Sequence, residues 1–140
     1  MQFELLTLTG AKYSGEVAEV ALATTEGSLA ILPHHEPFTA IVIPGPVLVR
    51  ATANEPEELF AIFGGIIEVS DNRVRLLADE AEHADDLVES EIEEALARAK
   101  AEKEGVKDKH ELHRAQQLID RHAVRLEVSR IRRRRRSHQN

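Results

Sequence analysis

Residues Gly27 to Pro46 read GSLAILPHHEPFTAIVIPGP. A Glu26-Gly27 turn leads into a short apolar run, Ser28 to Leu32, that reads as a strand. Pro33 breaks it and a polar tip follows, His34-His35-Glu36. Pro37 sets the exit, a second strand runs from Phe38 to Ile43, and Pro44-Gly45-Pro46 ends it. Proline fixes φ and drives the residue before it towards extended geometry. A stiff polar tip between two apolar strands suits presentation to a partner better than chemistry.

Similar strands lie on either side. Phe3 to Thr9 is β-rich and Gly10 punctuates it; Tyr13-Ser14-Gly15 reads as a turn; Val17, Leu22 and the neighbouring alanines form the next strand. After the quoted stretch come Val47 to Ala51, a surface turn at Asn54-Glu55-Pro56-Glu57, and Leu59 to Ile62. Gly64-Gly65 is too short to cradle a phosphate and marks a bulge or a close backbone approach. Ile66–Val69 and Val74–Leu77 flank Ser70-Asp71-Asn72-Arg73, and Asp-Asn tolerates positive φ, so the pair reads as a tight hairpin. Short strands at this spacing, with Gly, Pro and Asn between them, predict an antiparallel sandwich or barrel.

The composition changes after Ala81. From Asp85 onward there is no proline and the one glycine is Gly105. Asp86 with Glu89 three residues later resembles a capping box. Val88, Ile92, Ala95, Leu96 and Ala99 then recur at helical spacing until Gly105. Asp108 and Glu111 repeat the start signal, and Leu112, Ala115, Ile119, His122 and Leu126 share one helix face. The short Gly105–Asp108 connection predicts an antiparallel helical hairpin. The expected class is therefore α+β: an antiparallel β-sandwich over 1–84, then a two-helix hairpin with an arginine-rich tail over 85–140.

Charge follows the same division. Residues 1–80 carry −8, 81–108 carry −6 and 109–140 carry +7, so the two ends attract each other or different partners. The chain has no cysteine, which excludes disulfides and thiolate metal sites. No run of about 18 apolar residues is present. The opening MQFELLTLTG lacks a basic region with a long apolar stretch, so synthesis in a bacterial cytoplasm or inside an organelle is expected. Adjacent loop residues such as His34, His35 and Glu36 seldom converge on one ion, and no nucleophile–base or paired-carboxylate pattern stands out. No cofactor, metal or catalytic residue is expected.

Gly27 to Gly45 matches the pattern G-x-x-x-I-L-P-x-H-x-P-F/L-x-x-x-I-x-P-G, and Phe63-Gly64-Gly65-Ile66-Ile67-Glu68-Val69, Val74–Ala78 and Asp79–Glu82 continue in order. These stretches resemble the epsilon subunit of F-type ATP synthases. The resemblance implies a non-catalytic rotor subunit of the central stalk, with a sandwich on the γ subunit and the c-ring. Ser28, His34 and His35 would then lie near the c subunits. It implies a hairpin that is either compact or extended towards the αβ catalytic head and that acts as an inhibitor of ATP hydrolysis. It also implies a peripheral position on the cytoplasmic face of a bacterial membrane, through the complex.

The run Arg130 and Arg132, Arg133, Arg134, Arg135 and Arg136 has three readings: a solvated tail, a non-specific nucleic-acid contact, or a match for an acidic partner surface. The family resemblance favours the third, with the arginines supporting the extended, inhibitory state and the acidic first helix favouring the compact one by pairing with them. A stand-alone regulator or nucleic-acid adapter is the alternative. Many family members bind ATP through I/L-D-x-x-R-A at the start of the first helix. Aligned on Asp86-Leu87, this chain has Val88 for the aspartate, Glu91 for the arginine and Ile92 for the alanine. The charge that pairs with phosphate is reversed. Calorimetric titration of the isolated chain with ATP should show no saturable heat below millimolar nucleotide; a micromolar site would contradict this reading.

Overall fold

The structure, a computed structural model, describes residues 1–139. The chain divides into two compact units, Met1–His83 and the residues from Ala84 onward. The first unit holds ten strands: β1 (Gln2–Thr7), β2 (Gly10–Glu16), β3 (Glu19–Thr24), β4 (Gly27–Ile31), β5 (Phe38–Val42), β6 (Gly45–Arg50), β7 (Glu58–Ile62), β8 (Gly65–Ser70), β9 (Arg73–Ala78) and β10 (Ala81–His83). They pair in the order β10-β7-β6-β3-β5-β8-β9-β1-β2, with β4 on β3. All these pairs are antiparallel except β1 with β9, which is parallel.

Alternation builds the core. Phe3, Leu5, Val20, Ile31, Val42, Val47, Phe60, Ile62, Ile67 and Leu76 are fully buried within one cluster. With only four Phe and one Tyr, Val, Ile and Leu supply most of its volume. The β5–β8–β9–β1 register sets one inward row, Ala40, Ile67, Leu76 and Leu5. At the N-terminus the ammonium of Met1 lies 3.1 Å from Glu16 Oε2.

The expected turn at Tyr13-Ser14-Gly15 is instead the middle of strand β2. The reversal comes earlier, at Leu8-Thr9, where Gly10 takes φ 121. Thr7 Oγ1 closes this turn by donating to the Gly10 carbonyl at 3.0 Å and accepting the Thr9 N–H at 3.3 Å. Tyr13 has a packing role that a turn residue would lack: its ring is 5.6 Å from Phe3 and 6.2 Å, edge-on, from Phe60. Burial, then the nearby carboxylates of Glu58 and Glu55, raise its phenol above the ordinary value.

Gly64-Gly65 makes a close approach. A Cβ on Gly65 would stand 2.3 Å from the Leu77 carbonyl oxygen and 2.9 Å from Ala78 Cα. Gly65 therefore lets β8 pass β9 in register, opposite Ala78. The β8–β9 link is the tight hairpin expected, with Asp71 and Asn72 at φ 50 and 59.

The second unit opens with a 3-10 turn, Ala84–Asp86, followed by α1 (Glu89–Glu104) and α2 (Lys109–Gln139). The Asp86–Glu89 capping box does not form. The 3-10 turn takes up Asp86, so Glu89 becomes the first helical residue, and Val88 precedes it in extended geometry with no side-chain cap. Glu89 and Glu91 still place negative charge in the first turn, where the helix dipole favours it. At α2 the expected start holds: Asp108 Oδ1 accepts the His110 N–H at 2.8 Å. Ile92 and Ala99 of α1 and Ile119 and Leu126 of α2 are buried, whereas Leu112 is 39% exposed.

Gly65→Ala should cost about 3 kcal/mol, because backbone rather than a yielding side chain would have to move. Gly45→Ala, which meets nothing within 4 Å, should stay within about 0.5 kcal/mol. Urea unfolding of the two variants measures the contrast.

Candidate functional site

Three features of the two units bear on function. The first is the polar tip of the Gly27–Pro46 stretch. The His35 N–H donates to the Leu32 carbonyl at 3.2 Å, closing a turn with Pro33 and His34 at its centre. Pro at the second position and φ 66 at His34 in the third are the signature of a type II turn. The His35 ring is fixed by a 2.8 Å contact from Nδ1 to the Glu36 carbonyl and by an edge-to-face contact with Phe38 at 5.1 Å.

Beside the tip lies a recess of about 320 Å³, whose lining includes Thr24, Ser28, His35, Glu36 and Phe38. The fold thus brings Ser28 and His35 to one concavity. His34 stands outside it, exposed at the turn. Its N–H donates at 2.9 Å to Asn72 Oδ1, from a hairpin 38 residues away. No local signal in the sequence connects Asn72 with this tip.

The second feature is an apolar row on the outer face of the sheet. Ile41 pairs with Ile66, Ile66 with Leu77, and Leu77 with Leu6. Ile41, Ile66 and Leu77 are 60%, 45% and 43% exposed. The next row on that face, two residues along each strand, is Thr39, Glu68, Arg75 and Glu4. An apolar strip edged by opposite charges has the make-up of an interface core and rim. The sequence signal for it is doubling: Leu5-Leu6, Ile66-Ile67 and Leu76-Leu77 break strict alternation and put apolar side chains on both faces.

The third feature is a ladder of ion pairs in the helical unit. Asp85, Glu89 and Glu93 recur every four residues, and the arginine run meets them in antiparallel order. Arg136 and Arg132 reach Asp85 Oδ1 at 3.5 and 3.0 Å. Arg133 and Arg130 reach Glu89 Oε1 at 2.8 and 3.5 Å, and Arg130 also reaches Glu93 at 3.3 Å. Arg132 Nη1 further donates to the Ala84 carbonyl at 3.0 Å. Near the connection, Lys103 bonds Gln116 across the two helices.

The arginine run is therefore helical. Arginine is a good helix former, the facing carboxylates offset the repulsion between neighbours, and the helix C-terminus favours cations. Arg134 is exposed. Among the described residues no cluster of three metal-ligating side chains occurs.

Residues 1–84 match the family described as ATP synthase, Delta/Epsilon chain, beta-sandwich domain. The ATP synthase epsilon chain of Herpetosiphon aurantiacus is 36% identical over 135 residues, covering 96% of this chain and 98% of that relative. The epsilon chain of a Neisseria meningitidis serogroup C strain is 34% identical over 119 residues, 85% of each. Among solved structures, a chain of the Euglena gracilis mitochondrial ATP synthase, OSCP/F1/c-ring in rotational state 1, superimposes with a TM-score of 0.69 at 21% identity, covering 91% of this chain and 76% of that one. A chain of the Tetrahymena thermophila mitochondrial ATP synthase central stalk/c-ring gives 0.60 at 17% identity, covering 92% and 96%. At those identities the two structures speak to the fold; the sequence relatives and the match over 1–84 carry the assignment. The chain belongs to the epsilon-chain family of ATP synthases.

Proposed function

We propose that this chain is the non-catalytic epsilon subunit of the central stalk of an F-type ATP synthase. Its β unit grips the γ subunit and meets the c-ring, and its helical hairpin regulates ATP hydrolysis by the αβ head. The outer apolar row supports this reading most directly. Single exposed apolar side chains are ordinary, but a contiguous row across β5, β8 and β9 marks a surface that a partner covers. Its occupant is γ, for which the row supplies affinity and the Glu68–Arg75 rim supplies orientation.

The polar tip, with Ser28, His34 and His35, is assigned to the c-ring. A stiff tip adds little ordering cost when it docks, so torque passes through it without slack. Among the described residues no helix is long and apolar enough to cross a membrane. A peripheral place on the cytoplasmic face, through the complex, follows from the proposed subunit role.

The arginine ladder gives the hairpin its regulatory logic. The arginines cannot pair with Asp85, Glu89 and Glu93 and with an acidic surface of the head at the same time. Each exposed pair contributes about 0–1 kcal/mol and is screened by salt. Together they bias a two-state element without locking it, which is what a switch requires.

Three results test these assignments. Ile66→Glu with Leu77→Glu should weaken capture by γ at least tenfold while leaving the thermal midpoint nearly unchanged; unaltered capture would remove γ from this face. Asp85→Asn with Glu89→Gln and Glu93→Gln should free the arginines and make the assembled enzyme's ATPase about two- to tenfold more inhibited, whereas deleting residues 129–140 should relieve inhibition at low salt. Unchanged hydrolysis in both would end the regulatory reading. Retention of the chain on nucleic acid at physiological salt, with no γ complex, would favour an adapter instead.

A further inference from the structure

We propose that Asn72 is the residue that positions the polar tip, and that the β8–β9 hairpin end belongs to the same partner-facing surface as His34 and His35. This deepens the assignment of the tip to the c-ring and rests on that assignment for its partner.

The third position of a type II turn calls for φ near +80°, which glycine adopts without cost and asparagine tolerates. Here that position holds His34, at φ 66. A histidine in the left-handed region persists only where its surroundings impose the conformation. Pro33 sets the residue before it, and the Leu32–His35 hydrogen bond closes the turn. Both constraints are local, and neither fixes the turn against the rest of the β unit.

The non-local constraint is Asn72. Its side-chain oxygen accepts the His34 N–H at 2.9 Å, across 38 residues of chain. Asn72 is itself held firmly. It occupies the second central position of a two-residue hairpin, at φ 59, beside Asp71 at φ 50. Its carbonyl accepts the Gln2 N–H at 3.2 Å, which ties the hairpin end to the first strand. The ladder of β8 and β9 runs up to it, with Ser70 opposite Arg73.

A chain of constraints therefore runs from the sheet, through a hairpin whose geometry leaves Asn72 few alternatives, to the backbone of the strained residue. Glycine at position 34 would relieve the strain but present no side chain. Keeping histidine there and bracing it from outside yields a projecting imidazole in a defined place. That arrangement fits a residue that is read by a partner. It also brings Asp71 and Arg73 to the same end of the unit as His34, so a partner that reaches the tip meets both charges.

Two substitutions separate the hydrogen bond from the hairpin. Asn72→Gly removes the acceptor yet creates Asp-Gly, a favoured pair for this hairpin type, so the hairpin itself is not weakened. Asn72→Asp keeps an oxygen acceptor at the same place. In the full chain, amide exchange of His34 followed by NMR should quicken about fivefold in Asn72→Gly, the share of one ordinary hydrogen bond. It should stay within about twofold of the parent in Asn72→Asp. Unchanged His34 exchange in Asn72→Gly, or equal acceleration in both variants, overturns the proposal.

A second readout uses the synthase with its c-ring, assembled with each variant. Faster loss of the subunit with Asn72→Gly than with Asn72→Asp supports the brace together with its partner. Altered exchange with unaltered retention keeps the brace and removes the c-ring from this surface, so the two failures are told apart.

Discussion

One hydrogen-bonding register, carried from β5 through β8 and β9 to β1, decides what each side of this sheet is for. It puts Ala40, Ile67, Leu76 and Leu5 in line on the inner face and Ile41, Ile66, Leu77 and Leu6 in line on the outer one. Because side chains alternate with a period of two, a slip of one residue would exchange these rows. The two apolar rows would tolerate that exchange, but it would also turn Glu68, Arg75 and Glu4 of the neighbouring outer row into the core. The backbone is also unforgiving: Gly65 lies where any larger residue would strike the Leu77 carbonyl. A glycine at the crossing of two strands thus adds a steric lock to a register that the charged outer row already favours. The interaction face and the core are two readings of the same constraint.

The helical unit works on a different balance. Its buried apolar side chains are Ala84 and Leu87 ahead of α1, Ile92 and Ala99 in α1, and Ile119, Leu126 and Val128 in α2. Much of what joins the helices at their far end is charge. Arg133, Arg136 and Asp85 are more than 60% exposed at the side chain, whereas Arg132 and Glu89 are largely covered, at 22% and 20%. Exposed ion pairs are weak, additive only in part, and sensitive to salt. A helix pair held in this way is one whose closure another acidic surface can compete for. The same arginines in a well-packed apolar interface would make a fixed strut.

The proposed c-ring contact falls on the most heavily constrained loop of the β unit. The tip has proline on each side, a turn closed by a backbone hydrogen bond, a histidine ring pinned against Phe38, and a brace from a distant hairpin. Little conformational entropy then remains to be lost on docking. On the proposed reading, a braced tip on the β unit and a helix pair joined in part by charge would divide between them the transmission of rotation and its regulation.

Much of this was legible in the residues themselves. The strands around Gly27–Pro46, the Asp71-Asn72 hairpin, the change of composition after Ala81 and the start of α2 at Asp108 all follow from local chemistry: alternation, φ preference, and a carboxylate at a helix N-terminus. Local reasoning failed at two places, one overridden by a distant contact and one by the neighbouring backbone. Tyr13-Ser14-Gly15 has turn composition, but Phe3 and Phe60 hold Tyr13 in a strand. Asp86 and Glu89 have capping-box spacing, but a 3-10 turn takes up the first of them. The doubled apolar pairs showed that both faces of some strands are apolar; only the register revealed that they align into one row. The acidic residues at the start of the first helix and the arginines near the end of the second are plain in the sequence, and the fold of the hairpin decided which arginine meets which carboxylate. Local conformation is written in neighbouring residues, whereas the meeting of groups far apart in the chain is settled only when the whole chain closes on itself.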